Sequence, residues 1–103
     1  DMNKLRTLSP KDRKALMNQI GQDALIQVLK QMFVIRHLET RAEAAYQQGK
    51  IGGFFHAYIG QEAIQTAAVL AMGVNNWWAT SYRCHALALL LGATPNEIMA
   101  ELY

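Results

Sequence analysis

Two short segments of this chain hold the side chains best suited to chemistry. In the first, residues 49–60, glycines surround the run Phe54-Phe55-His56-Ala57-Tyr58. The His56 imidazole could donate a proton or a hydrogen bond to a substrate oxygen, and the flanking rings would keep water away from that bond. In the second, Tyr82 precedes Arg83, and together they offer a fork of N–H donors and a hydroxyl to a phosphate group. Ordinary structural roles stay open for both segments: a histidine packed among aromatic rings, and an arginine at the surface or in an internal ion pair.

The other histidines and the single cysteine carry weaker signals. His85 closely follows Arg83, whereas His37 falls inside a long helical pattern, where a helix surface or the edge of a core is its expected place. Three histidines so dispersed do not form a metal-binding signature. Cys84 is alone, so it can form no disulfide within the chain and cannot complete a structural zinc site. Its presence fits a reducing compartment.

Helices are the elements that must position these segments. Ser9-Pro10 supplies a cap and a first helical residue, and Gly21 is the expected stop. Apolar residues then recur every three or four positions as far as Tyr46, which predicts one long helix that ends before Gly49. An alanine-rich helix suited to close packing follows the loop, and Thr94-Pro95-Asn96-Glu97 has the pattern of a capping box. The predicted helices are 10–20, 23–48, 61–72, 86–91 and 95 onward.

Two non-helical stretches separate the longer helices. The glycines within residues 49–60 predict an irregular loop whose backbone approaches another group closely. Residues 77–80, Trp77-Trp78-Ala79-Thr80, have the aromatic and β-branched character of a short strand. Tyr82 and Arg83 would then lie at a strand-to-helix turn, the place where open α/β sheets bind ligands. Neither a Walker-type phosphate loop nor a dinucleotide-binding glycine pattern occurs in the sequence.

Length and composition bound the class of protein. With 103 residues, of which 51% are hydrophobic and 17% charged, the chain is one domain's worth of sequence and too apolar for a disordered segment. Its apolar runs fall short of the about 20 residues that a membrane span needs, and the net charge of +2 does not single out nucleic acid. A small basic cluster near the start is best interpreted as a solvated helix face, because a nucleic-acid patch would carry interleaved aromatics. The cluster consists of Lys4, Arg6, Lys11, Arg13 and Lys14.

Several motifs in one colinear order resemble a known family. Residues 52–63 closely resemble the loop of the alpha subunit of the pyruvate dehydrogenase first component. Thr80-Ser81-Tyr82-Arg83-Cys84-His85 resembles the next motif of the same family, and the segments 44–50 and 98–103 resemble the neighbouring helices. The resemblance covers residues 24–103, and the consistent spacing of several motifs makes it specific.

The resemblance implies an enzyme that uses thiamine diphosphate and magnesium. By position, Tyr82 and Arg83 match residues that hold the diphosphate of the cofactor, and His56 matches a loop histidine beside the reacting 2-oxo acid. Phe55 and His85 are given supporting roles. The family decarboxylates a 2-oxo acid and passes the acyl group to a lipoyl group on an acetyltransferase, and its beta subunit supplies the carboxylate that activates the thiamine ring.

The resemblance also bears on the substrate. Relatives that act on branched-chain 2-oxo acids lack the histidine that matches His56, and those that act on acetoin carry His-Arg in place of Tyr82-Arg83. Pyruvate is therefore the first expected substrate, with another 2-oxo acid or acetoin as alternatives. A small helical interaction module without catalysis is the alternative from another class of protein.

The family's subunit is much longer than this chain. Its magnesium-binding Gly-Asp-Gly motif occurs nowhere in the 103 residues, so the chain itself is expected to bind no metal. We interpret the chain as an N-terminal fragment of an α/β thiamine-diphosphate-binding fold with a parallel sheet, mainly α-helical in the part present. The expected division is an N-terminal helical extension over residues 1–22 and the start of the cofactor-binding domain over residues 23–103.

The interpretation as a fragment carries expectations about partners and location. The fragment alone should be inactive and should self-associate through apolar faces that lack their native partners. Its expected partners are the beta subunit, the lipoyl-bearing acetyltransferase and pyruvate, with neither nucleic acid nor a membrane among them. A bacterial cytoplasm is the expected location, rather than an organelle.

Overall fold

The computed structural model describes residues 8–103, and this part of the chain is helical. Its α-helices are α1 (Pro10–Ile20), α2 (Gln22–Gln47), α3 (Glu62–Met72), α4 (His85–Leu90) and α5 (Pro95–Leu102). The predicted helices are confirmed, with ends that differ from the expected ones by at most one residue. The mainly α-helical class is confirmed as well, and residues 8–103 contain no strand of the expected parallel sheet.

The capped helices begin where their capping residues predict. Ser9 Oγ accepts a hydrogen bond from the Asp12 backbone N–H at 3.1 Å, and α1 ends at Gly21. At the start of α5, Thr94 Oγ1 accepts from the Glu97 N–H at 3.2 Å, while Glu97 Oε2 accepts from the Thr94 N–H at 2.7 Å. These bonds satisfy N–H groups that a helix start leaves unpaired. The bond from the Thr94 N–H also lowers the pKa of Glu97.

Helix α1 packs against α2 but buries none of its own residues. Lys11, Arg13 and Lys14 lie exposed along it, as expected of a solvated helix face. Lys4 and Arg6 lie outside the described residues. The boundary between an extension over residues 1–22 and a domain over residues 23–103 remains a prediction.

The core forms where α2 meets the loop that follows it and α4. Ile35 of α2 packs with Tyr58 of the loop and Ala86 of α4, and Leu89 and Leu90 cover this cluster. Helix α2 reaches the core through a stripe of buried residues spaced three and four apart, which places them on one helix face. The apolar members of this stripe are Ile35, Leu38, Ala42 and Ala45.

The strand predicted over residues 77–80 is wrong. The segment connects α3 to α4 without regular structure, and the Trp77 ring is fully exposed while Trp78 is half-buried. A strand needs a neighbouring strand to complete its backbone hydrogen bonds, and the described part of the chain provides none. Tyr82 and Arg83 therefore follow an irregular segment rather than the end of a strand.

Apolar side chains remain exposed along α2. Leu29, Phe33 and Val34 are exposed, and the last two line an open groove of about 710 Å³ between α2 and the start of α5, named here the α2–α5 groove. The alanine-rich face of α3 is exposed too, at Ala67 and Ala71. None of the described helices combines the length and the apolar character needed to cross a membrane.

Candidate functional site

The loop between α2 and α3 is anchored at two buried residues. Ile51 is 7% exposed and Tyr58 is 3% exposed, whereas the residues between them lie at or near the surface. The Tyr58 hydroxyl accepts a hydrogen bond from the Gln65 backbone N–H at 3.3 Å, and burial raises the pKa of this tyrosine. The segment 52–57, which carries His56, is therefore held between two fixed ends.

Two glycines let the chain enter and leave this loop. Gly49 has a φ of +73° and Gly60 a φ of +91°, backbone conformations that other residues rarely adopt. At the two glycines in the middle of the loop, the close approach of the backbone to another group that the sequence predicts is not found within residues 8–103. A Cβ atom at Gly52 or Gly53 would meet nothing there within 4 Å. Gly49 and Gly60 therefore allow the turns at the two ends of the loop, whereas Gly52 and Gly53 lie at an open surface.

The structure brings His56, Tyr82 and Arg83 together on one surface. The ring centroids of His56 and Tyr82 are 4.3 Å apart, with the planes inclined by 48°. The guanidinium carbon of Arg83 lies 5.3 Å from the centroid of the Tyr82 ring, which is a cation–π distance. Arg83 Nε donates a hydrogen bond to the Ala57 carbonyl oxygen at 3.1 Å. Two segments that are distant in sequence thus form one candidate site, and we call these three side chains the surface triad.

The contact with Ala57 leaves the end of the Arg83 side chain available for binding. Within the described part of the chain, the side chain of Arg83 uses only Nε for hydrogen bonding, so Nη1 and Nη2 keep their donors. Tyr82 is 63% exposed, and its hydroxyl is likewise without a hydrogen-bond partner among residues 8–103. An anion with several oxygens can accept hydrogen bonds from both side chains.

A buried glutamate that the sequence analysis missed joins the loop to α4. Glu39 of α2 is 0% exposed. Its Oε1 lies 2.9 Å from His85 Nδ1, and its Oε2 accepts a hydrogen bond from the Tyr58 backbone N–H at 3.1 Å. Phe55 stacks on the His85 ring, with centroids 5.5 Å apart and planes inclined by 5°. Phe55 and His85 therefore pack with each other, next to the surface triad rather than in it.

A sequence signal for Glu39 does exist. The residue directly follows Leu38 and lies four positions after Ile35, inside the apolar stripe of α2. A glutamate on the buried face of a helix is rare unless other groups hydrogen-bond to it. Its position alone therefore indicates a buried partner, although it does not indicate which one.

An ion pair, also missed from the sequence, connects α2 to the start of α3. Arg36 donates from Nε and Nη2 to the two carboxylate oxygens of Glu62, and Glu62 Oε2 also accepts from the Gly60 N–H at 3.1 Å. The hydrogen bond from Arg36 is the main reason that the pKa of Glu62 falls to about 2. The same bond raises the pKa of Arg36. Because Gly60 ends the loop, this pair fixes the loop exit against α2.

Two residues singled out from the sequence lie apart from these contacts. His37 is exposed on α2 and lines the α2–α5 groove, in agreement with the surface position expected for it. Cys84 is a half-buried free cysteine directly before α4. No group of three or more His, Cys, Asp or Glu side chains suited to a metal ion occurs in the described part of the chain.

Comparison with known proteins assigns the chain to a family. The family described as Dehydrogenase E1 component matches residues 30–103, which is well over half of the chain and includes the whole candidate site. The chain belongs to the dehydrogenase E1 component family. The family resemblance inferred from the sequence is therefore confirmed.

Curated relatives in the dehydrogenase E1 component family are alpha subunits. The pyruvate dehydrogenase E1 component subunit alpha of Rickettsia prowazekii is 40% identical over 81 residues, which are 79% of this chain and 25% of that protein. The mitochondrial subunits alpha of Kluyveromyces lactis and Saccharomyces cerevisiae are 36% and 37% identical over 91 and 95 residues. Those matches cover 88% and 92% of this chain and 22% of each relative. The chain thus spans about a quarter of the length of the curated relatives it matches, and no solved structure matches it.

Proposed function

We propose that this chain is the N-terminal part of the alpha subunit of a pyruvate dehydrogenase. The complete enzyme would decarboxylate pyruvate with thiamine diphosphate and pass the acetyl group to a lipoyl group. The names of the relatives support the subunit and the substrate. One structural observation carries the proposal: Arg83 Nε donates to the carbonyl oxygen of Ala57. That bond joins the candidate cofactor-binding residues to the loop that carries the candidate substrate-binding residue, His56.

The donors around Arg83 fit a diphosphate group. Nη1 and Nη2 of Arg83 and the Tyr82 hydroxyl have no hydrogen-bond partners within residues 8–103, and no carboxylate in that range pairs with the guanidinium. A charged fork beside a hydroxyl suits a polyanion with many acceptor oxygens. Tyr82 and Arg83 would hold the diphosphate, and the magnesium ligands would come from outside these residues.

The residues of this chain bind and orient the cofactor and the substrate, while the cofactor supplies the difficult chemistry. When bound, thiamine diphosphate supplies stabilisation of the carbanion that decarboxylation of a 2-oxo acid produces. His56 is exposed beside the Tyr82 ring, where it can donate a hydrogen bond to the carbonyl oxygen of pyruvate. Negative charge develops on that oxygen during the reaction, so a fixed donor there lowers the barrier.

The aromatic neighbours of His56 do not enclose it in the described part of the chain, contrary to the expectation from the sequence. Phe54 is 89% exposed, and the Tyr58 ring is buried in the core. Only Phe55 packs near the site, against His85 and Tyr46. We therefore infer that water is excluded from His56 by other parts of the assembled enzyme, and that exclusion would strengthen its hydrogen bond.

The proposal includes partners and a location. The partners are a beta subunit and a lipoyl-bearing acetyltransferase, and the 103 residues alone should be inactive because they lack the magnesium ligands. The exposed apolar residues of α2 support self-association of the isolated piece. The bacterial relative supports a bacterial cytoplasm as the location, whereas the two yeast relatives are mitochondrial.

An interaction module without catalysis is the alternative from another class. The exposed apolar side chains of α2 would suit such a module. The family match over residues 30–103 favours the enzyme, because it includes His56, Tyr82 and Arg83 together. Within the enzyme class, another 2-oxo acid or acetoin remains the alternative substrate.

The complete alpha subunit that contains this chain, co-expressed with its beta subunit, tests the proposal. The complex is supplied with thiamine diphosphate, magnesium and a lipoyl acceptor, and it is offered pyruvate, a branched-chain 2-oxo acid or acetoin in parallel. We expect the highest kcat/KM for pyruvate, with acetyl transfer to the acceptor and no reaction when the cofactor is omitted. A preference for one of the other substrates would correct the assignment, and inactivity toward all three would reject it.

A further inference from the structure

Glu39 lies behind the surface triad and contacts both segments that carry it. Its Oε2 accepts from the backbone N–H of Tyr58, which ends the His56 segment. Its Oε1 lies 2.9 Å from Nδ1 of His85, which follows Arg83 in the chain after Cys84. The glutamate is fully buried, so these two contacts replace the water that a carboxylate would otherwise bind.

The two contacts decide which nitrogen of His85 carries the proton. A backbone N–H can only donate, so Tyr58 always uses Oε2 of Glu39 as an acceptor. Oε1 is also an acceptor, so the nitrogen that faces it must be the protonated one. The neutral ring then carries its hydrogen on Nδ1 and leaves Nε2 with a free lone pair. Within residues 8–103, Nε2 has no hydrogen-bond partner.

We propose that Glu39 is a positioning residue that fixes the Nδ1-protonated form of His85 and thereby sets both the ring and the loop beside the triad. The His85 ring stacks on Phe55, the immediate neighbour of His56, so a fixed imidazole plane also fixes that part of the loop. The free lone pair of Nε2 is then an unused acceptor on the residue two positions after Arg83. The role of this acceptor in the enzyme rests on the proposed function. The protonation state of the ring is independent of that function.

The substitution Glu39→Gln is nearly isosteric and gives a directional test. Glutamine offers one acceptor oxygen and one NH₂ donor in place of two acceptors. The Tyr58 N–H cannot change its role, so it should keep the oxygen, and the NH₂ group then faces His85 Nδ1. A histidine can move its proton, so the ring should change to the Nε2-protonated form. An exposed glutamate one turn further along α2, Glu43, provides the matched control Glu43→Gln.

The measurement is solid-state NMR of the complete alpha subunit labelled with ¹⁵N and ¹³C in histidine, without cofactor. A His85→Phe variant identifies the His85 signals by difference. We expect a proton on Nδ1 in the wild type and in Glu43→Gln, and none on Nδ1 in Glu39→Gln. An unprotonated Nδ1 in the wild type would overturn the proposal even if Glu39→Gln failed to fold. A protonated Nδ1 in folded Glu39→Gln would overturn it as well.

Kinetics of the complex with the beta subunit provide a second readout. Loss of the orienting partner of a metal-binding histidine costs about tenfold to hundredfold in affinity or activity, and by analogy we expect a fall of that size in kcat for Glu39→Gln. The cofactor concentration needed for half-maximal activity should change less than twofold, because Arg83 keeps its own anchor at Ala57. A wild-type kcat in a variant with an altered ring would show that Glu39 does not position the site. If the complex proves to have no 2-oxo acid activity at all, the NMR result still decides the protonation of His85.

Discussion

The imidazole of His56 lies against the ring of Tyr82, with centroids 4.3 Å apart, and neither segment depends on the His56 side chain for its anchor. The loop around His56 is held by the burial of Ile51 and Tyr58. Arg83, next to Tyr82, is oriented by the backbone oxygen of Ala57, which remains in place when the His56 side chain is removed. Losses on the substrate side and on the cofactor side of the site should therefore be separable by mutation.

Replacement of Arg83 by alanine should weaken binding of thiamine diphosphate to the complete enzyme. A lost hydrogen bond to a charged group corresponds to roughly 1.5–3 kcal/mol, which is about a tenfold to hundredfold loss of affinity. The measurement is activity as a function of cofactor concentration, supported by calorimetric titration. Arg41→Ala, at an exposed position of α2, is the control and should match the wild type. An unchanged cofactor dependence in Arg83→Ala would leave this arginine with a structural role.

Replacement of His56 by alanine should lower turnover while cofactor affinity changes little. The loss of one proton or hydrogen-bond donor at the reacting oxygen lowers turnover by about a hundredfold or more. Paired titrations of the same variant, one in pyruvate and one in thiamine diphosphate, measure the two effects. His37→Ala, on the exposed face of α2, serves as the control. Normal turnover, or a defect confined to cofactor affinity, would contradict a role for His56 at the substrate.

The Arg36–Glu62 pair should make stability depend on pH in a defined window. The pKa of Glu62 is about 2 in the folded chain, compared with 4.5 for an unperturbed glutamate. The folded state therefore binds this proton less readily than the unfolded state does. The stabilisation is fully present above pH 4.5 and is lost as the pH falls toward 2.

Thermal unfolding of the complete subunit and of its Glu62→Gln variant, followed from pH 6 to pH 2, measures this effect. The difference in melting temperature should be largest near pH 6 and should shrink through the acidic window, because the wild-type carboxylate becomes protonated there. Glu43→Gln provides the control and should show a constant difference. A constant difference for Glu62→Gln as well would mean that the pair does not affect stability in this way.

Loss of the Thr94 hydroxyl should destabilise α5. Thr94 Oγ1 accepts from the Glu97 N–H, and replacement of such a cap by alanine costs about 0.5–2 kcal/mol. Chemical denaturation of the complete subunit is the measurement, with Thr94→Ser as a control that retains the hydroxyl and should lose less. Equal stability of the alanine variant and the wild type would show that α5 is held by its packing alone.

The helices could be predicted because their signals are local. Ser9 and Thr94 each begin a capping pattern within one helical turn, and the glycines that follow the helices mark their ends. The strand over residues 77–80 could not be predicted correctly, since residue types describe a preference for extended backbone but not the presence of a pairing strand. Local sequence signals therefore predicted the order of the helices. They failed for the segment whose structure depends on pairing with a distant strand.

In the candidate site, too, some features could be predicted from the sequence and others depend on contacts between distant segments. The family resemblance located His56, Tyr82 and Arg83, and the structure brought them together. The contact between Arg83 and Ala57 depends on how the loop folds back over α4, so no sequence spacing could have predicted it. The buried position of Glu39 follows from the apolar stripe of α2, whereas its polar partners, a backbone N–H and a histidine, come from segments far along the chain and could not be predicted.

The two buried ends of the loop separate the side chains that the core needs from the exposed side chains between them. Ile51 and Tyr58 supply the side chains that the core needs, and between them only a carbonyl group, that of residue 57, holds Arg83. Every amino acid carries that carbonyl group. Of residues 52–57, the exposed ones should tolerate exchange at little cost in stability, whereas Phe55 packs on His85 and Tyr46 and should be retained. On the proposed function, we expect exchange of these exposed side chains to change the preferred 2-oxo acid over an unchanged core.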